Sequence, residues 1–369
     1  MRWFCLCALS ATMRLGAADA IAPERLNTMV EALSRLEPAT LQGNPKLQEA
    51  LSKVLDAVRG TPRFVELVRR FAVAGREADL LELASRFPGE EHGVEAIRLV
   101  LGTAPGPNLQ PLLRGPDKAR ALGLAQALAQ SNHPKAAGWL SGLVTDLRVD
   151  ALVRKEAVRG LSRTREGAMQ LLAWERASQL PADVRFVASV EMNGARWPEV
   201  KAEAARRLPL PVGPKDRPLP PVAELLRMPG DALRGEAVYF REAVGCAKCH
   251  QVNGRGTDFG PALSEIGSKL GREGLLESIL DPSAGISFGF ESWEVQTKDG
   301  SEWTGLLVSD AAEELAIKAV GGVVTRIRKS EVQLRRQSKL SAMPAGLAQT
   351  LSTQELADLL EYLARLRKR

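Results

Sequence analysis

Gly245-Cys246-Ala247-Lys248-Cys249-His250 is the stretch on which the reading of this chain turns. Two thiols stand three positions apart, and a histidine follows at once. That spacing lets both sulfurs reach the two vinyl groups of one haem as thioethers. It also holds His250 beneath the iron as the proximal ligand. Two other chemistries use a C-x-x-C pair. A thioredoxin-like redox pair calls for a βαβ setting, which the flanking sequence lacks. A zinc site needs two more Cys or His ligands, and residues 223–369 hold no other Cys or His. The motif therefore predicts one covalent haem c, anchored by Cys246 and Cys249 and ligated by His250.

The same scarcity narrows the sixth ligand. Between 223 and 369 the methionines are Met228 and Met343. Met228 precedes the first helical pattern and reads as a core or linker residue. Met343 sits in Ser341-Ala342-Met343-Pro344, where the proline stiffens a loop that presents the thioether. The alternative is a methionine filling a core gap. His/Met ligation raises the reduction potential relative to His/His. The imidazole also needs an acceptor for its other ring N–H. The Pro261 carbonyl, in Gly260-Pro261-Ala262-Leu263, is the candidate, and an ordinary turn is the alternative.

Around the motif the pattern is mixed. Asp231 is placed to cap a helix running to about Ala243. A short helix is predicted over Gly271–Leu280, stopped by Asp281-Pro282. Trp293, Val295 and Thr297 alternate with polar residues, and Asp299-Gly300 is a hairpin signal. Trp303, Gly305 and Leu307 continue the alternation. Leu315, Ile317 and Ala319 precede Gly321-Gly322, and Val323, Thr325 and Ile327 follow. These imply an antiparallel sheet of about four strands over 291–335, inserted between His250 and Met343. Ser352 and Glu355 form a capping box for a last helix bearing Leu356, Leu359, Leu360, Leu363 and Leu366.

Upstream, residues 208–222 are Pro-rich and read as an extended linker. Residues 21–207 read as helices only. Apolar residues recur at helical spacing over 119–128, 153–161 and 184–190, with breaks at Asn132-His133-Pro134, Leu180-Pro181-Ala182-Asp183 and Arg196-Trp197-Pro198. The pattern resembles degenerate HEAT-type repeats, an α-solenoid that offers a long face to a partner. His92 and His133 read as surface or capping histidines.

The first residues resemble an export signal. Met1-Arg2 is a short positive start, Trp3 to Thr12 is mostly apolar, and Ala18-Asp19-Ala20 is a cleavage site. Arg14 interrupts the pattern, and an uncleaved anchor or a lipidated Cys5 or Cys7 is the alternative. Cleavage after Ala20 predicts a periplasmic or otherwise exported protein whose remaining cysteines are Cys246 and Cys249.

The chain has 369 residues, 45% hydrophobic and 25% charged, with net charge +6. The positive excess lies before residue 222, spread over helix faces and not in an aromatic-laced basic run, which argues against nucleic acid as a partner. There is no nucleophile–base signature, P-loop or dinucleotide fingerprint. Arg272, Glu273 and Glu277 read as a solvated helix face and not as a catalytic acid pair. No small-molecule substrate is indicated.

On these residues, 223–369 resembles a class I cytochrome c. Gly235…Tyr239-Phe240 and Leu359-Leu360-Glu361-Tyr362-Leu363 match that family's crossing terminal helices. More narrowly, it is similar to the haem-binding domain type named for Pirellula and Verrucomicrobium. That likeness is carried by Gly245–His250, Gly260-Pro261-Ala262-Leu263-Ser264-Glu265-Ile266-Gly267, residues 272–283 and Ser341-Ala342-Met343-Pro344-Ala345-Gly346-Leu347. The resemblance implies a mainly α chain: HEAT-like repeats followed by a class I cytochrome c domain with a small inserted sheet. It also implies an electron carrier, more than a catalyst, exchanging electrons with a protein donor and acceptor. Two alternatives stand beside that reading. One is the electron-accepting subunit of a periplasmic dehydrogenase complex, and the other is a haem-based sensor or binding module.

Overall fold

The computed structural model describes residues 22–41, 43–209, 219–241 and 244–368. The expected leader, residues 1–20, and most of the Pro-rich linker lie outside them. The described residues fall into two compact units, one up to Arg76 and one from Glu77 on.

The first unit is a small helical cluster: α1 (Pro23–Arg35), α2 (Pro38–Leu41), α3 (Pro45–Ala57) and α4 (Pro62–Phe71). Each opens on proline, which suits a first turn whose N–H has no partner anyway. Asn44 caps α3, its side chain accepting from the Leu47 N–H at 3.2 Å. Val30, Leu33, Leu51, Val54, Leu55, Phe64 and Val68 form its core.

The second unit begins with α5 (Glu77–Arg86), α6 (Glu91–Gly102), α7 (Gln110–Leu113), α8 (Lys118–Ser131), α9 (Pro134–Val144), α10 (Ala151–Leu161), α11 (Arg165–Arg176), α12 (Ala182–Asn193) and α13 (Pro198–Arg207). The three stretches with recurring apolar residues are α8, α10 and α12, and these pack in order, α8 on α10 and α10 on α12. The breaks between them are helix boundaries. Asn132 closes α8 in the left-handed region, and the His133 ring accepts from the Lys135 N–H at the start of α9. Asp150 and Thr164 cap α10 and α11 in the same way.

The rest of this unit holds α14 (Val222–Arg227), α15 (Ala232–Phe240), α16 (Ile266–Lys269), α17 (Arg272–Leu280) and α18 (Thr353–Arg365). Asp231 caps α15 by accepting from the Arg234 N–H at 2.9 Å. The helix ends at Phe240, sooner than the sequence suggested, because Arg241 turns extended. The capping box of α18 is formed: Ser352 accepts from the Glu355 N–H, and Glu355 accepts from the Ser352 N–H at 2.8 Å. Helices α15 and α18 cross closely at Gly235, where an added methyl would stand 2.0 Å from the Asp358 carbonyl oxygen. Asp358, 2% exposed, accepts from the Arg234 guanidinium at 2.7 Å and from the Asp231 N–H at 2.7 Å. The core beneath this crossing includes Tyr239, Leu276, Leu356, Leu359, Leu360 and Leu363.

The sheet comprises β1 (Ser292–Thr297), β2 (Glu302–Asp310), β3 (Glu314–Lys318), β4 (Val324–Arg328) and β5 (Val332–Gln337). It is antiparallel, in the order β4-β3-β2-β1-β5, with Val295, Trp303, Leu315, Ile317 and Ile327 as its core. The turn at Asp299-Gly300 has the left-handed glycine that such hairpins need. The sheet has five strands where sequence suggested about four. Arginines from the helical layer contact it: Arg98 of α6 lies over the Trp303 ring at 4.7 Å, and Arg196, between α12 and α13, bonds to Glu302 and Thr304.

Candidate functional site

The C-x-x-C-H segment is built as a tight turn. Gly245 takes φ +83° and starts a 3₁₀ turn over Cys246–Lys248. In a 3₁₀ turn the side chains at i and i+3 eclipse. Cys246 and Cys249 are therefore brought to the same side by the local backbone. The His250 N–H donates to the Cys246 carbonyl at 2.9 Å, which closes the turn. Both cysteines are free thiols, half-buried, and burial pushes each thiol up to about 11.

His250 is fixed from three directions. Its carbonyl accepts from the Tyr239 hydroxyl of α15 at 2.9 Å. Its Nδ1 lies 2.8 Å from the Pro261 carbonyl oxygen. A carbonyl can only accept, so Nδ1 carries the proton and Nε2 presents a lone pair. The third constraint is Gly260, where an added methyl would stand 2.5 Å from the ring's Cε1 and 2.8 Å from Nδ1. Only a residue without a side chain admits the ring. The Gly260 N–H also donates to the Cys249 carbonyl at 2.6 Å, so the Gly260-Pro261 segment is pinned to the motif it supports. Burial lowers the His250 pKa, and the Pro261 bond offsets this only in part, so the imidazole is neutral at physiological pH.

The groups brought together are thus two thiols, one neutral imidazole with a free Nε2, and its carbonyl partner. Cys246, Ala247, Leu263 and Ile266 pack against the apolar core beside them. This donor set and the cradle at Gly260 fit a haem held by two thioethers and one histidine. Among the described residues no group of three or more His, Cys, Asp or Glu could hold a metal ion.

Met343 stands on a different loop, between β5 and α18. It is half-buried, and its N–H donates to the Ser341 hydroxyl at 3.1 Å. The Ser341 N–H in turn donates to the Ser283 hydroxyl at 3.1 Å, tying this loop to the segment after α17. Met228 packs against the core of the α15–α18 crossing, as a structural methionine does. Arg272 pairs with Glu361 of α18 at 2.6 Å, which accounts for it structurally.

Tyr239 and Gly260 are site residues that motif reading did not single out. Tyr239 was legible only within the first-helix pattern Gly235…Tyr239-Phe240, since nothing local says that its hydroxyl reaches the histidine carbonyl. Gly260 was quoted as a neighbour of Pro261, but its close approach to the ring depends on the fold.

Residues 232–301 match the family model described as Cytochrome c. The matched span runs from the first residue of α15 to the turn between β1 and β2, and it contains Cys246, Cys249, His250 and Pro261. Met343 and α18 lie beyond it. No curated protein matches the chain. The chain therefore contains a cytochrome c domain, which implies covalently bound haem c, electron transfer and redox protein partners.

Proposed function

We propose, with the cytochrome c domain as premise, that this chain is an exported monohaem electron carrier whose iron is ligated by His250 and Met343. The observation that carries the reading is the His250 ring, with Nδ1–H committed to Pro261 and Nε2 left free beside two thiols on one turn. Cys246 and Cys249 would hold the haem covalently. When bound, haem supplies a one-electron iron couple. The protein's part is to bind, orient and enclose. Pro261 fixes the tautomer and angle of His250, and Tyr239 anchors the backbone beneath it.

Met343 is the sixth ligand in this reading. It is one of two methionines between 223 and 369, and Met228 is accounted for in the core. A thioether favours the reduced iron and raises the potential. The absence of any histidine in this segment besides His250 leaves no distal acid–base group of the kind a peroxidase uses. The likeness to the Pirellula and Verrucomicrobium domain type supports the same assignment. Helices α8, α10 and α12, starting at Lys118, Ala151 and Ala182, are read as the spine of a HEAT-like stack that faces a protein partner. A periplasmic dehydrogenase is the partner class. The export signal read at residues 1–20 supports the exported reading, since haem c is attached outside the cytoplasm.

The test is the visible spectrum of the holoprotein, wild type and Met343→Ala, with and without carbon monoxide. The wild type is expected to show the ferric methionine–iron charge-transfer band and to resist carbon monoxide. Met343→Ala should lose the band and bind the gas. A band that survives the substitution contradicts the ligand assignment, and ready binding by wild type contradicts the carrier reading.

A further inference from the structure

The inserted sheet meets the proximal side of the candidate site through the turn between β3 and β4. This turn is closed on itself. The Ala319 N–H donates to the Val323 carbonyl at 2.7 Å, and the Gly322 N–H to the Ala319 carbonyl at 2.9 Å. Where the turn begins, Lys318, the last residue of β3, donates to the Asp258 carboxylate at 2.8 Å. At its tip Gly322 lies against Thr257. A methyl added there would stand 3.3 Å from Thr257 Cγ2 and 3.5 Å from the Asp258 carbonyl oxygen. The same turn rests on the helical layer. A methyl added at Gly321 would stand 3.0 Å from Nε2 of Gln130 in α8. Arg163 donates to the Gln130 side chain at 3.1 Å and to the Val320 carbonyl at 3.4 Å.

Thr257 and Asp258 open the segment that fixes His250. The Thr257 N–H donates to the Ala247 carbonyl at 2.9 Å, and the Phe259 N–H to the Cys249 carbonyl at 3.1 Å. Gly260, which admits the ring, and Pro261, whose carbonyl holds Nδ1, follow directly. Backbone bonds thus fasten this segment to the attachment turn, and Lys318 and Gly322 meet it from the sheet.

We propose that the inserted sheet positions the proximal ligand, with Lys318 a positioning residue that acts through Asp258 to hold the Gly260-Pro261 segment against the His250 ring. The proposal rests on haem attachment at Cys246 and Cys249 and on ligation by His250, and it does not need Met343 as ligand. A well-formed Nδ1–H···O bond makes the imidazole a more basic ligand, which favours the oxidised iron. A segment free to drift from the ring weakens that bond and favours the reduced iron. Asp258 keeps 71% of its side chain exposed, and an ion pair so open adds little to the stability of the whole fold. The effect of the pair is local, on the ring and the iron. Loss of charge alone predicts a different pattern. Removing the Lys318 cation would favour the oxidised iron, and removing the Asp258 carboxylate the reduced iron. Positioning predicts the same direction for both.

The experiment is a redox titration of the haem-loaded full chain as wild type, Lys318→Leu, Asp258→Asn, the double variant and Lys318→Arg. Nuclear magnetic resonance follows exchange of the His250 Nδ1 proton with deuterated solvent in the same proteins. Lys318→Leu and Asp258→Asn should each shift the reduction equilibrium toward the reduced form by about threefold, which is about 28 mV for one electron. The double variant should match the singles, because all three lose the same contact. Lys318→Arg, which keeps the pair, should return the midpoint to that of wild type. Exchange of the Nδ1 proton should quicken in both single variants. Midpoints of the two singles that move in opposite directions, or an exchange rate equal to wild type in either, overturn the proposal. If Lys318→Leu fails to accumulate, Asp258→Asn decides the matter by its exchange rate, which loss of charge alone leaves unchanged. A wild type that never carries haem overturns the proposed function, and this proposal with it.

Discussion

At the scale of single residues, the site depends on what His250 is allowed to touch. Gly260 leaves no room for a methyl, since one would stand 2.5 Å from the ring. Gly260→Ala should therefore displace the imidazole and reduce the haem-loaded fraction several-fold, read as the ratio of haem to protein absorbance. Gly285→Ala, where an added methyl meets nothing within 4 Å, should leave that ratio unchanged. Equal loading of the two variants would remove the cradle from the account. The attachment residues were legible in sequence because their geometry is local: four successive residues, Cys246 to Cys249, carry the turn that aligns the thiols, and the next, His250, is the ligand. Pro261 was legible for a related reason, standing eleven residues on in a Gly-Pro segment of its own. The part played by Tyr239 was not legible, because its hydroxyl and the His250 carbonyl, eleven residues on, meet only in the folded chain.

At the scale of elements, the crossing of α15 and α18 supports the site from below. Gly235→Val places side-chain atoms where the Asp358 carbonyl already lies, and overpacking of this kind costs about 2 kcal/mol or more. The check is the midpoint of chemical denaturation. Asp358 gives the crossing a pH dependence. Burial raises its carboxyl pKa, but bonds from Arg234, the Asp231 N–H and Gln354 outweigh that, and the net shift is downward. A carboxylate with a depressed folded-state pKa stabilises the fold above its unfolded value, about 3.9, and that stability is lost as pH falls through the folded value. Asp358→Asn should cost about 2 kcal/mol at pH 7 and flatten the loss of stability below about pH 4. An unchanged acid profile would contradict the sign. The sequence showed α18 through its capping box and apolar face, and β1–β4 through alternation and turn glycines. It did not show β5, Val-Gln-Leu-Arg-Arg-Gln. This strand lies at the edge of the sheet, so its polar side chains face water, and Arg335 and Arg336 pair with Asp310 and Glu294.

At the scale of the molecule, the sheet joins the helical layer α5–α13 to the cytochrome c domain. It interrupts the chain between His250 and Met343, and Arg98 of α6 reaches it, as do Arg163 and Arg196 from the connections after α10 and α12. Arg98 also donates to the Ser131 carbonyl at 2.6 Å, so one side chain holds two helices and the Trp303 ring. Arg98→Ala should cost about 1–3 kcal/mol. In the wild type, helical circular dichroism of a fragment beginning at Glu77 and haem absorbance should fall in one transition. Two separate transitions would mean that the helices do not share the stability of the site. None of these arginine contacts follows from local pattern, since each joins residues far apart in the chain.

The central claim is that Cys246 and Cys249 carry one haem. It is tested most directly by mass spectrometry of the full chain produced alongside a haem c attachment system, followed by fragmentation of the peptide spanning Cys246–His250. The account predicts the added mass of one haem, retained after denaturation and confined to that peptide, with wild-type loading lost in the Cys246→Ala, Cys249→Ala double variant. A chain that keeps both thiols free, or that carries the added mass elsewhere, would contradict it.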